Sequence, residues 1–162
     1  MLWVNHIYGD DAADAWAKLA PKIVTVTKGW SESYGMFTDG EADMVLSYTT
    51  SPAYHIIAEE DMTKSAAIFD EGHYFMVELA AKLAGTDNNE LADAFMAFIL
   101  TEKFQSMIPT SNWSFPAALS EENWPAGFQD LPMPEKVLFY SEDEAAALRA
   151  EAIEAWRSAL SQ

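Results

Sequence analysis

The chain has 162 residues, half of them hydrophobic and 13% aromatic, which suffices for an ordinary domain with its own core and argues against disorder. Nine Lys and Arg against 26 Asp and Glu leave a formal charge of −17, which disfavours nucleic acid and anionic lipid as partners and serves first of all solubility. Without cysteine there is no disulfide, thiolate nucleophile or Cys-based metal site, and no apolar run reaches the ~20 residues of a membrane-spanning helix.

Residues 1–8 read as the tail of a helix closed by Gly9, with no signal peptide ahead of it. A chain that opens inside an apolar helix is expected to begin partway through a longer protein. Asp10 or Asp11 then caps a helix with Ala12, Ala15, Trp16 and Leu19 on its apolar side, ended by Pro21. Residues 23–26 have the β-propensity of a buried strand, and Ser31 is a plausible N-cap for a short helix carrying Tyr34 and Phe37, stopped by Asp39-Gly40. Residues 44–48 read as a second strand. Thr50-Ser51-Pro52 then opens a helix to about Glu60, because proline is well tolerated at the first helical position.

Residues 66–69 are a weaker strand candidate, and residues 73–79 are apolar enough for a strand or a segment crossing between lobes. Asp87-Asn88-Asn89 caps a helix with Leu91, Phe95, Phe98 and Ile99 at helical spacing, and Thr101 caps the next, bearing Phe104 and Met107. Residues 108–134 are rich in Pro, Asn and Ser and are expected to be an irregular stretch packed down by Trp113, Phe115 and Trp124. Ser141 with Glu144 forms a capping box for a final helix carrying Leu148, Ala152, Trp156 and Leu160.

The chemistry-bearing residues exclude more than they select. His6, His55 and His73 lack metal-ligand spacing, the serines lack a nucleophile elbow, and Gly29, Gly35 and Gly40 form no phosphate loop. Asp10, Asp11 and Asp14 are helix-start charges, and Asn112-Trp113-Ser114 is only formally a glycosylation acceptor. Trp16, Phe95, Phe98 and Trp156 sit at helical spacing and are assigned to the core. Trp30, Tyr48, Tyr54 and Trp113 differ, standing in polar turns or helix starts, although periodicity alone reads each equally well as a packing residue. With the acidic charge they suggest a cage for a flat or cationic organic ligand. Loops after strand ends are where open α/β sheets bind ligands, and helix N-termini there offer unpaired N–H groups.

Several motifs together carry a resemblance. Tyr8-Gly9-Asp10-Asp11-Ala12, Thr25-Val26-Thr27-Lys28-Gly29-Trp30-Ser31-Glu32, the run Val45-Leu46-Ser47-Tyr48-Thr49-Thr50-Ser51-Pro52-Ala53-Tyr54, Glu71-Gly72-His73-Tyr74 and Ile108-Pro109-Thr110-Ser111-Asn112-Trp113 closely resemble the thiamine-binding periplasmic proteins of bacterial ABC importers. The resemblance covers nearly the whole chain. It implies an α/β fold, the C-terminal lobe of a type II periplasmic solute-binding protein with helices on a small mixed sheet, the first lobe being absent. It further implies a periplasmic binder, not an enzyme, that takes thiamine or a thiamine phosphate as cargo, uses no cofactor or metal, and serves a membrane ABC permease. By the same resemblance Trp30, Tyr48, Tyr54 and Trp113 match positions that contact the ligand. A piece lacking one lobe is expected to expose apolar surface or self-associate. The rival expectations are a binding protein for ferric iron or a polyamine, and an acidic hydrolase using paired carboxylates.

Overall fold

A computed structural model describes residues 1–161. In chain order the elements are α1 (Leu2–Tyr8), α2 (Ala12–Leu19), α3 (Trp30–Thr38), α4 (Ser51–Ala58), β1 (His73–Tyr74), α5 (Asn89–Phe98), α6 (Glu102–Gln105), α7 (Ile108–Ser111), α8 (Ala126–Gln129), β2 (Val137–Leu138) and α9 (Glu142–Leu160). They divide between two compact units. The first holds residues 1–47, 68–76 and the chain from 134 onward, and the second holds residues 48–67 and 77–133. Among the described residues no helix is long and apolar enough to cross a membrane.

In the first unit, α2 packs against α1 and α9, and the buried hydrophobic side chains among the described residues are Ala12, Trp16, Ala152 and Ala159. Ala152 and Ala159 lie two turns apart and so share one face of α9, where small side chains allow a close helix approach. The predicted capping box starts that helix: Ser141 N–H donates to Glu144 Oε2 at 2.9 Å while Ser141 Oγ accepts from Glu144 N–H at 3.4 Å. Trp3 ties α1 to the segment before β1 by donating its indole N–H to the Gly72 carbonyl at 2.9 Å, and Tyr140 donates to Asn5 Oδ1 at 2.8 Å.

β1 and β2 pair in parallel, His73 beside Val137 and Tyr74 beside Leu138. Gly72 makes this possible. Its φ is 112°, and a Cβ there would stand 2.9 Å from both Leu138 Cγ and Lys136 Cβ. Strain and overlap act together, so Gly72→Ala is expected to lower stability by about 2–4 kcal/mol in urea unfolding. An unchanged midpoint would show that the turn relaxes freely.

The His73 ring sits against Trp3 and Phe69 and accepts from Phe69 N–H through Nε2 at 3.0 Å. Burial holds its pKa below the ordinary value. An imidazole kept neutral by folding leaves the unfolded chain binding more protons below about pH 6.5, so its contribution is complete above that pH and declines as pH falls below it. The melting temperature should therefore fall between pH 7 and pH 5.5, and fall less in His73→Gln, whose amide oxygen can still accept from Phe69. Equal slopes in the two proteins would place the titration elsewhere.

The second unit is organised around Ala53, Phe128 and Leu131, with Trp113, Phe115 and Trp124 packed against them. Phe115 lies 4.9 Å from Trp124 and 5.8 Å, edge-on, from Phe128, and the Trp124 indole donates to the Leu119 carbonyl at 3.1 Å. The Pro-rich stretch is thus held down by its aromatic residues, as its composition suggested. Gly127 lets α8 approach α4, since a Cβ there would meet Ile57 Cγ1 at 2.6 Å. Buried Gln105 satisfies both ends of its amide, donating to the Ile99 carbonyl at 2.7 Å and accepting from Ala118 N–H at 2.9 Å.

The structure corrects the sequence reading in several places. Residues 23–26, 44–48 and 66–69 are not strands, and of residues 73–79 only 73–74 are. The expected mixed sheet is a two-stranded parallel one among the described residues. A strand needs a neighbouring edge to bond its backbone, and residues 23–26 and 44–48 join no sheet here. Residues 44–49 nevertheless alternate in exposure, with Met44, Leu46 and Tyr48 turned outward. One of the passages between units falls within residues 73–79, after Met76. Phe95 and Phe98, assigned to the core, are 53% and 46% exposed, because the apolar stripe of α5 is left uncovered. Trp156 is only half-buried, and α3 begins at Trp30 with Gly29, not Ser31, at its N-cap.

Candidate functional site

Each candidate ring is set by the chemistry of a helix end. In the second unit, α4 begins with Pro52 in its first turn, where the missing N–H has no partner to lose. Tyr48 is latched to that start: its N–H donates to Ser51 Oγ at 3.3 Å, and its carbonyl accepts from Ser51 N–H at 3.0 Å. Its ring is exposed. One turn into α4, Tyr54 meets Trp113 edge-on, with ring centroids 5.1 Å apart and planes at 86°.

Trp113 arrives there by a strained backbone. Asn112 ends α7, and Trp113 follows with φ 53°, a left-handed conformation that glycine usually occupies after a helix. A side chain at such a position costs about 1–2 kcal/mol. The indole is half-buried against the core cluster, so packing offsets part of that strain. Asn112 and Ser114 fasten the turn: the Asn112 side-chain amide donates to Ser114 Oγ at 3.2 Å, and the Ser114 hydroxyl lies 3.2 Å from the Asn112 carbonyl.

Below Tyr54, α4 carries a polar cluster. His55, buried at 2% exposure, has Nδ1 at 2.6 Å from Glu59 Oε2. The Glu59 carboxylate raises the pKa of the Tyr54 phenol, while the bond to His55 is the main cause of a lowered Glu59 pKa. Lys64 donates to Asp61 at 2.8 Å and, with Thr63, holds that carboxyl well below its usual range. One ligand atom each from His55, Glu59 and Asp61 falls within 4.8 Å of the others, a geometry able to hold a cation. The bonds from Thr63 and Lys64 instead use the Asp61 oxygens internally.

In the first unit, Trp30 opens α3. Its ring stacks on Tyr34 at 4.8 Å and 30°, and its indole N–H donates to Ser47 Oγ at 3.1 Å. The Thr27 hydroxyl donates to the Gly29 carbonyl at 2.7 Å and bonds the Ser33 hydroxyl, pinning the loop before the helix. Trp30 remains 48% exposed. It is a ring propped on one side and offered on the surface of its unit.

The structure thus brings Tyr54 and Trp113 together, latches Tyr48 to the same helix start, and presents Trp30 in the other unit. Sequence reasoning missed Tyr34, Ser47, His55 and Glu59. Three of these were findable, because Trp30 with Tyr34 and His55 with Glu59 stand four residues apart on or at the end of a helix, where side chains are neighbours.

The family described as bacterial extracellular solute-binding protein matches residues 3–106. The thiamine-binding periplasmic protein of Escherichia coli (strain K12) is 51% identical over 162 residues, all of this chain and 49% of that protein. The thiamine-binding periplasmic protein of Brucella abortus is 46% identical over all of this chain and 48% of its own length, and that of Haemophilus influenzae is 45% identical over 75% of this chain and 36% of its own. A solved structure titled periplasmic thiamin binding protein superposes with a TM-score of 0.92 at 51% identity, covering 99% of this chain and 50% of that one. The chain spans about half the length of the curated relatives it matches. A helix-rich fold with a small parallel sheet, a profile match over most of the sequence and a superposition of this quality lead to one assignment: the chain belongs to the bacterial extracellular solute-binding protein family.

Proposed function

We propose that this chain is the C-terminal portion of a two-lobe periplasmic protein that binds thiamine and delivers it to an ABC permease, without catalysis and without a cofactor. The observation that carries this reading is the Tyr54–Trp113 corner, two rings at right angles beside a helix start, with Trp113 held there in a left-handed backbone. Strained residues persist where a site requires them. The names of the relatives supply the ligand.

Thiamine has a permanent thiazolium charge and a flat aminopyrimidine, so ring faces of Trp and Tyr suit both parts. In the second unit Tyr54 would wall or stack on the ligand, Trp113 would close a side and Tyr48 would offer its hydroxyl, and Trp30 is the candidate ring of the first unit. Each cation–π contact is worth roughly 0.5–2 kcal/mol, whereas nanomolar binding needs about 12 kcal/mol. A few rings therefore fall short, and the remainder is assigned to exclusion of water and to hydrogen bonds supplied when both lobes close. Of the two candidate helix starts, near Ser31 and Ser51, an anion role would fall to the amides near Ser31, because Ser51 N–H and Ala53 N–H already bond the Tyr48 and Thr50 carbonyls and Pro52 has none.

Calorimetry of this chain with thiamine, thiamine monophosphate, ferric iron and spermidine tests the proposal. Thiamine is expected to bind saturably but well short of nanomolar, with quenching of indole fluorescence, while iron and spermidine give neither. Equal affinity for thiamine and its phosphate would remove the anion role, and preferential binding of iron or spermidine would overturn the ligand assignment.

A further inference from the structure

The exposed ring of Trp30 is fixed twice within the first unit. A tryptophan half exposed at a helix start would ordinarily sample several rotamers, and ordering it on binding opposes affinity. Here one face lies against Tyr34, with centroids 4.8 Å apart and planes at 30°, and Tyr34 is itself braced edge-on by Phe37 at 5.8 Å. Stacking sets the plane of the indole but lets the ring slide and turn within it. The indole N–H, donated to Ser47 Oγ at 3.1 Å, removes that freedom, because a directional bond at the edge of the ring admits one heading. Tyr34 stands one turn along the same helix, whereas Ser47 lies 17 residues on, in a segment that joins no sheet among the described residues. Thr27 already pins the backbone ahead of Trp30 through the Gly29 carbonyl at 2.7 Å, so what Ser47 adds concerns the side chain.

We infer that Ser47 is a positioning residue for the ligand-binding ring of Trp30: its hydroxyl accepts from the indole N–H and holds the ring, backed by Tyr34, at the angle at which it meets a flat cationic guest. This rests on the binding role proposed for Trp30 above. Ser47 acts through the indole and not by touching the ligand. A ring held in place before the ligand arrives loses less freedom on binding, so the contribution of Ser47 is preorganisation.

The test is a double-mutant cycle on this chain, read by thiamine affinity. Ser47→Ala is expected to weaken binding about fivefold, the size of one neutral hydrogen bond, and Trp30→Ala about 10-fold, with the double variant no weaker than Trp30→Ala. Ser47→Thr keeps the hydroxyl and should stay within about twofold of the parent. Losses that multiply in the double variant would mean that Ser47 meets the ligand itself or supports the fold, and a Thr variant as weak as the Ala variant would mean that the hydroxyl is not the cause. Parental affinity in Trp30→Ala would take this ring out of the site while leaving binding at Tyr54 and Trp113 standing. Each of these results overturns the inference. A ligand-free arm separates it from the functional reading: the Trp30 indole N–H resonance, identified by its loss in Trp30→Ala, should shift upfield and exchange faster with water in Ser47→Ala and hold its place in Ser47→Thr. If the parent takes no thiamine, the binding proposal falls and this resonance alone decides whether Ser47 orders the ring, with an unmoved peak refuting it.

Discussion

Trp113→Gly is expected to lower thiamine affinity about 100-fold while leaving the turn in place. Glycine is at ease at φ 53°, so the substitution relieves the left-handed strain that any other replacement retains. What disappears is the indole, with about 0.5–2 kcal/mol of cation–π attraction and a similar amount from apolar contact with the ligand, together near the 2–3 kcal/mol that corresponds to such a loss. Trp113→Phe keeps a ring and should stay within about 10-fold. Because the indole also packs on Ala53, Phe128 and Leu131, some stability is lost in both variants, and melting must be followed beside binding. Parental affinity in the glycine variant would reduce Trp113 to a packing residue.

The largest stability effect is expected at Phe128. It is 1% exposed, lies edge-on to Phe115 and forms the buried centre of the second unit with Ala53 and Leu131. Phe128→Ala should cost about 3–5 kcal/mol by guanidinium unfolding, since the cavity has few flexible neighbours to fill it. That is a large fraction of the ~5–15 kcal/mol that a domain has in total. Phe128→Leu, which preserves more volume, should cost below about 2 kcal/mol. Trp113 leans on the same cluster, so Phe128→Ala should weaken ligand binding as well, although Phe128 is not proposed to touch the ligand. A small effect would show that this unit draws its stability from elsewhere.

What the sequence revealed and what it hid divide along one physical line. Helix ends were legible because their determinants are local. Thr50-Ser51-Pro52 opens α4, Thr101 caps α6 by accepting from Phe104 N–H, and Ser141 with Glu144 opens α9. Strands were not, because residues 23–26 and 44–48 have strand-like composition but the state depends on a partner edge that no local pattern specifies. The spacing of Leu91, Phe95 and Phe98 correctly identified an apolar face on α5, yet periodicity says only that a face exists, not what covers it.

The candidate site divides similarly. Trp30, Tyr48, Tyr54 and Trp113 stood out as aromatics in polar turns, and the structure sets three of them on the helix start and loop of one unit. The meeting of Tyr54 with Trp113 joins residues remote in sequence, and the positive φ of Trp113 has no signature in the residue types around it. The His55–Glu59 pair is within reach of a helical reading, since residues four apart at a helix end are neighbours.

Tyr54 and Trp113 are proposed to flank one flat cationic guest, and intermolecular nuclear Overhauser effects between thiamine and the protein test this most directly. Cross-peaks are expected from the thiazolium and pyrimidine protons to ring protons of both residues, lost ring by ring as each is replaced. Saturable binding with cross-peaks confined to other residues would contradict it.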